Sequence, residues 1–125
     1  MTVKLFELIF EVIQHSEEEN SGLVKNLMND LQNQFAVDLY LSYDKFANAI
    51  NLSKIISTEK NKGVGTEVMK RICSFADSHS LEIILTPSSD FGGSIRRLEQ
   101  FYKRFGFKKN KSFLHREKLA REPQR

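Results

Sequence analysis

The strongest constraint on the fold is a change of period around residues 57–66. Residues 48–57, NAINLSKIIS, read as a strand, whereas from Gly65 onward Val68, Ile72, Phe75 and Ala76 recur at helical spacing. Between them stands Lys60-Asn-Lys-Gly63-Val-Gly65-Thr66. A strand that feeds a helix through two glycines needs a sheet and a helical layer packed on it.

The rest of the chain fits around that junction. Val37 to Tyr43 reads as a strand, and a turn near Asp44 and Lys45 joins it to 48–57 as an antiparallel hairpin. The helix from Gly65 runs to about Ser78. Leu81-Glu-Ile-Ile-Leu85 is a short apolar run, expected to be a strand covered on both faces. Residues 94–105 read as a second helix, with Ile95, Leu98, Phe101, Tyr102 and Phe105 on its apolar side and Gly106 as its C-cap. A last strand is expected from Phe107, returning near 115–121. At the other end, 3–14 fits a strand or a helix, and helix is the reading adopted. Ser16 with Glu19 is a capping box for a helix ending near Phe35, with Leu23, Leu27, Leu31 and Phe35 at four-residue steps. The expected class is α/β (α+β): a mixed, mostly antiparallel central sheet with helices on both faces.

The 125 residues are the size of one domain, 40% apolar and 28% charged, as in ordinary globular proteins. The single cysteine, Cys73, precludes an internal disulfide and points to a reducing, cytoplasmic setting. Glu7 and Glu11 break the N-terminal apolar run, so it does not read as a signal peptide. No stretch approaches the roughly 18 apolar residues of a membrane span. The net charge of +3 hides an asymmetry. Residues 1–30 set two lysines against six acids, a net −4, and residues 103–125 set nine cations against two acids, a net +7. A basic end attracts anions, whether a nucleic acid, an acidic protein or the phosphates of a cofactor.

The glycine segment carries the chemistry. Glycines let the backbone turn tightly and approach a ligand with no Cβ in the way. The amides that open the next helix lack intrahelical partners and, with the helix dipole, attract anions. Lys60 and Lys62 add charge beside them, an assembly that suits a pyrophosphate. A dinucleotide fingerprint would need Gly or Ala where Val68 stands, and the Gly-Lys-Ser/Thr of a P-loop is missing.

A second stretch, Leu98-Glu-Gln-Phe-Tyr-Lys-Arg-Phe-Gly-Phe107, sharpens this reading. With it the chain resembles the GCN5-related N-acetyltransferase (GNAT) superfamily. That family carries Gln/Arg-x-x-Gly-x-Gly/Ala after its fourth strand and Phe-Tyr-x-x-x-Gly-Phe about 35 residues later. The first pattern falls on Lys60, Gly63 and Gly65, the second on Phe101, Tyr102, Gly106 and Phe107. The resemblance covers about residues 48–110 of a single domain spanning 1–125, followed by the basic segment 108–125. Leu85 to Gly93 and Arg121-Glu-Pro123 also resemble short phage and bacterial members. Lys60 stands where Arg or Gln is usual, and Ile95, with Ser94 beside it, where the family often has Asn. Residues 1–35 carry no family pattern, so the first strand is expected to be missing.

The resemblance implies an acetyl-coenzyme A-dependent N-acetyltransferase acting on a primary amine by direct attack on the thioester. Backbone groups of Ile55, Ile56 and Ser57 would grip the pantetheine arm and face the thioester oxygen. Lys60, Lys62, Gly63, Val64, Gly65 and Thr66 would hold the pyrophosphate, with Ser94 as a further cofactor contact. Tyr102 would be the general acid for the departing thiolate, and Asp90 is a candidate base. No metal and no membrane are expected, nucleic acid is disfavoured, and a homodimer is compatible with the sequence.

Two other readings compete. One is an acetyl-coenzyme A-binding module with little or no catalysis, acting through a partner protein. The other is a nucleic-acid binder that uses its basic end, with Phe101, Tyr102 and Phe105 for stacking; their helical spacing favours a core role instead. Asp90-Phe-Gly92 lacks every other kinase element. His15, His79, His115 and Cys73 lack metal-ligand spacing.

Overall fold

The computed structural model describes the backbone of residues 2–57, 63–85, 95–109 and 119–124, and the side chains of 18–57, 63–85, 96–109 and 119–124. The elements in chain order are α1 (Thr2–Gln34), β1 (Val37–Asp44), β2 (Ala49–Ser57), α2 (Val64–Ser78), β3 (Glu82–Leu85), α3 (Ile95–Lys103), β4 (Lys108–Lys109) and β5 (Leu119–Arg121). The five strands form one sheet in the order β1-β2-β3-β5-β4. Only β2 and β3 run parallel, joined by the α2 crossover; the other three pairings are antiparallel. The architecture is therefore a mixed, mostly antiparallel sheet with helices, as the pattern of periods required.

α1 is one helix of 33 residues. Residues 3–14 belong to it, which settles their ambiguity in favour of helix. Ser16 and Glu19 do not begin a helix, because helical backbone already runs through them from Thr2. The buried stripe at its C-terminal half is Val24 and Leu31, flanked by Leu27, Met28 and Phe35. Val24 falls outside the expected four-residue series because the period is 3.6, not 4. α1 also guards the edge of the sheet. Gln32 Oε1 accepts the Leu39 N–H at 3.1 Å and Met28 Sδ the Leu41 N–H at 3.4 Å, so the outer amides of β1 are occupied.

The hairpin turn is closed by Asp44, whose Oδ1 accepts the amides of Phe46 and Ala47 at 3.0 and 3.2 Å. One face of the sheet is apolar across four strands: Leu39 and Leu41, Ile50 and Leu52, Ile83 and Leu85, and Leu119 are all buried. α2 contributes Val68, Met69, Ile72, Cys73 and Ala76 to the core. Ala49 and Ile50 are both fully buried, and adjacent strand residues face opposite ways, so the sheet is covered on both sides there. β3 departs from expectation. Ile83 and Leu85 are buried, but Glu82 and Ile84 are half-buried, so its second face is only partly covered. Among the described residues no strand precedes β1 and no helix is long and apolar enough to cross a membrane.

Candidate functional site

The ladder between β2 and β3 stops early. β2 pairs with β1 from Ala49 to Ser57, but with β3 only from Ala49 to Leu52. Beyond the Leu52–Leu85 pair, residues 53–57 have β1 on one side and, among the described residues, no strand on the other. A β-bulge falls at the same place. Tyr40 faces Lys54 and Leu41 faces Leu52, which leaves Ser53 without a cross-strand partner. A bulge bends its strand and re-aims the residues beyond it. Ile55 and Ile56, half-buried, thus lie on the stretch of β2 that runs on past its last pair with β3.

Residues 63–66 open α2. Gly63 is the N-cap, in the left-handed region at φ 71° and ψ 14°, a conformation that costs glycine little and other residues more. Among the described residues no side chain caps the helix. The first helical bond is Glu67 N–H to Gly63 C=O at 3.1 Å. The amides of Val64, Gly65 and Thr66 therefore fall in the turn that has no intrahelical acceptors. Gly63 is exposed, and a Cβ there would meet nothing within 4 Å. On the other flank, a Cβ on Gly65 would lie 3.9 Å from Phe101 Cζ, so α3 stands directly beside this turn.

Tyr102 is the next residue along α3. It is 6% exposed, and its ring meets Phe101 and Phe107 edge-on at 5.2 and 5.5 Å. Burial pushes its phenol up to about 12. It is protonated at neutral pH and can donate its proton. Phe101 and Phe105 also pack against the core, and Arg104 lies 5.3 Å from the Phe101 ring. These aromatics are not presented as stacking platforms.

Of the predicted site residues, Gly63, Val64, Gly65 and Thr66 form the opening of α2, where Gly65 comes against Phe101 of α3, and Ile55, Ile56 and Ser57 end the strand that leads towards them. Lys60, Lys62, Ser94 and Asp90 lie outside the described residues. Sequence reasoning missed a cluster at the far end of α2. Arg121, 4% exposed, donates from Nη1 and Nη2 to the two Asp77 oxygens at 2.8 and 3.1 Å, and from Nε to the Phe105 carbonyl at 2.6 Å. Asp77 Oδ1 also accepts the Gln124 amide at 2.8 Å. The Arg121 hydrogen bonds hold the Asp77 carboxyl below the usual range. The separation of 44 residues hid this pair; its one trace was the Arg121-Glu-Pro123 ending.

Other groups add no second centre. Burial pushes the Cys73 thiol up, away from the reactive thiolate. The exposed His79 donates from Nδ1 to the Phe75 carbonyl at 2.9 Å and stacks on the Phe75 ring. Among the described residues no three His, Cys, Asp or Glu side chains cluster as metal ligands. A groove of about 440 Å³ opens near Gln124, lined by Glu82, Glu122, Lys108 and Lys109. Burial, and then Glu122, push the Glu82 carboxyl up.

No protein-family model matches the chain, and no curated protein sequence does. Among solved structures it is similar to the anti-CRISPR protein AcrVA5, with a TM-score of 0.56 and 18% identity, over 68% of this chain and 88% of that one. At that identity the likeness speaks for a shared fold.

Proposed function

We propose that the chain is an N-acetyltransferase of the GNAT type, which binds acetyl-coenzyme A and transfers its acetyl group to a primary amine. The observation that carries this reading is the pairing of two open backbone elements. Among the described residues the α2 first turn is uncapped by any side chain, and the strand leading to it runs on past its last pair with β3, at Leu52. An anionic diphosphate fits the first, because three amides and the positive helix end face it with no Cβ at Gly63. An extended amide-bearing arm fits the second, as an added strand. The likeness to AcrVA5 supports the architecture and nothing finer.

On this reading the neutral amine nitrogen attacks the thioester carbonyl, a C–N bond forms, the nitrogen loses a proton to water, and the C–S bond breaks as the thiolate leaves. A backbone amide of residues 55–57 aimed at the carbonyl oxygen would stabilise the developing oxyanion, a contribution on the order of 10²–10³ in rate. Tyr102 would donate to the leaving sulfur. A phenol near 12 is a weaker acid than an ordinary thiol near 8.5, so complete proton transfer runs uphill, and Tyr102 would act chiefly by holding a hydrogen bond to the thiolate. The burial of Tyr102 also favours the second reading, a cofactor-binding module that turns over slowly or not at all.

The test is calorimetric titration with acetyl-coenzyme A, followed by thiol release across a panel of peptide, polyamine and aminoglycoside amines. Binding with release supports the transferase. Binding without release on any acceptor supports the module, and no binding rejects both.

A further inference from the structure

We infer that Arg121 is a positioning residue: through the Phe105 carbonyl it fixes where the C-terminal end of α3, and with it Tyr102, stands against the opening turn of α2. This assignment of a role in turnover rests on the acetyl-transfer reading above.

The connections form a closed circuit. α2 carries Gly63–Thr66 at one end and Asp77 near the other, about 20 Å apart along the axis. Asp77 holds two nitrogens of Arg121, and the third nitrogen holds Phe105. The Phe105 amide in turn donates to the Tyr102 carbonyl at 2.9 Å, as does that of Phe107 at 3.4 Å. Phe101 then returns to Gly65 at the start of α2. Gly106, at φ 96°, lets the backbone make the tight turn that aims the Phe105 carbonyl at Arg121, and the Gln124 side chain fills the space that a Cβ on Gly106 would need. Buried as it is, the guanidinium cannot shift without leaving one of its three acceptors unpaired.

Arginine suits this place because one rigid plane supplies three donors in fixed directions. Lysine would keep the charge opposite Asp77, but could not reach both its carboxylate and the Phe105 carbonyl with the same geometry. The ion pair and the α3 tether are thereby separable by substitution. Arg121→Lys keeps the first and loses the second. Asp77→Asn weakens the first and leaves the second, from Nε to the Phe105 carbonyl, in place.

The experiment measures kcat, KM for acetyl-coenzyme A and melting temperature for the two variants, with kinetics well below either melting point. Positioning predicts that Arg121→Lys loses about tenfold or more in kcat at nearly unchanged KM, because misplacement of a reacting group costs rate without cost in binding. Asp77→Asn should show the larger drop in melting temperature and the smaller loss of kcat. If the losses of kcat instead follow the losses of melting temperature, or if Arg121→Lys turns over like the wild type, Arg121 is structural only. If the wild type neither binds acetyl-coenzyme A nor turns over, the transferase reading fails first, and the tether is judged by NMR. Tyr102 ring resonances that move in Arg121→Lys and stay in Asp77→Asn uphold it; ring resonances unmoved in Arg121→Lys overturn it.

Discussion

The two ends of α2 follow opposite rules. At its start, Gly63 leaves the helix, among the described residues, without a side-chain cap and with nothing within 4 Å of where a Cβ would stand. Near its end, Asp77 is tied by Arg121 and Gln124, and Arg121 by Phe105 as well. A helix end with unmet amides is a cost to the fold unless water or a ligand meets them. A helix end pinned by a buried fork adds rigidity where no ligand is expected. One end is thus suited to binding and the other to holding the binding end still. The same helix also supplies Val68, Ile72 and Ala76 to the core, all fully buried, which keeps the axis between the two ends fixed.

That contrast can be broken by substitution. The largest effect is expected for Arg121→Met, which leaves the Asp77 carboxylate without its cation. Discounted for the partial exposure of Asp77, it should cost about 3 kcal/mol in urea unfolding. A loss below about 1 kcal/mol would mean that the pinned end is no firmer than an ordinary surface contact. Next comes Tyr102→Phe, expected to lower kcat about 10²-fold at unchanged KM in steady-state assays, the signature of a group that acts only in the transition state.

Gly65→Ala sharpens the comparison because its two effects have opposite signs. A Cβ there makes ordinary contact with Phe101, and alanine is the better helix former, so stability should rise by about 0.5–1 kcal/mol. Affinity for acetyl-coenzyme A, read by calorimetry, should fall about tenfold as the methyl blocks backbone approach. A gain in both would mean that nothing docks on that surface.

The smallest effect is in acid. Asp77 has a lowered folded pKa, so the unfolded chain takes up its proton first as pH falls. The stabilisation is complete above the ordinary carboxyl range near 3.9 and is lost as pH falls through the depressed folded value. Melting temperature tracked from pH 5 downward should therefore fall less steeply for Asp77→Asn than for the wild type.

Most of the fold was legible because its signals are local. The β1–β2 hairpin, α2, β3 and α3 all arise from period and punctuation, with boundaries within two residues of those expected. The α2 opening was legible too, since Gly63 and Gly65 announce it. What escaped was what depends on distant partners. Nothing near Asp77 names Arg121, and nothing near Gly65 names Phe101. The capping box at Ser16 and Glu19 failed for the converse reason: a local motif was overridden by a helix that had already begun. The partly covered second face of β3 was missed because an apolar run reports a strand's composition without reporting what covers it.

The bulge at Ser53 has a consequence for how the site could change over time. Cross-strand pairing sets Ile55 opposite Leu39, whereas an unbroken ladder continued from the Leu41–Leu52 pair would have set Lys54 there instead. The single extra residue therefore works as a phase shifter, separating the parity of 49–52 from that of 54–57. Removing Ser53 would leave a plain ladder with every other partner unchanged. The outer end of β2 can in this way gain or lose a residue at one tolerant point while the 49–52 stretch keeps its packing.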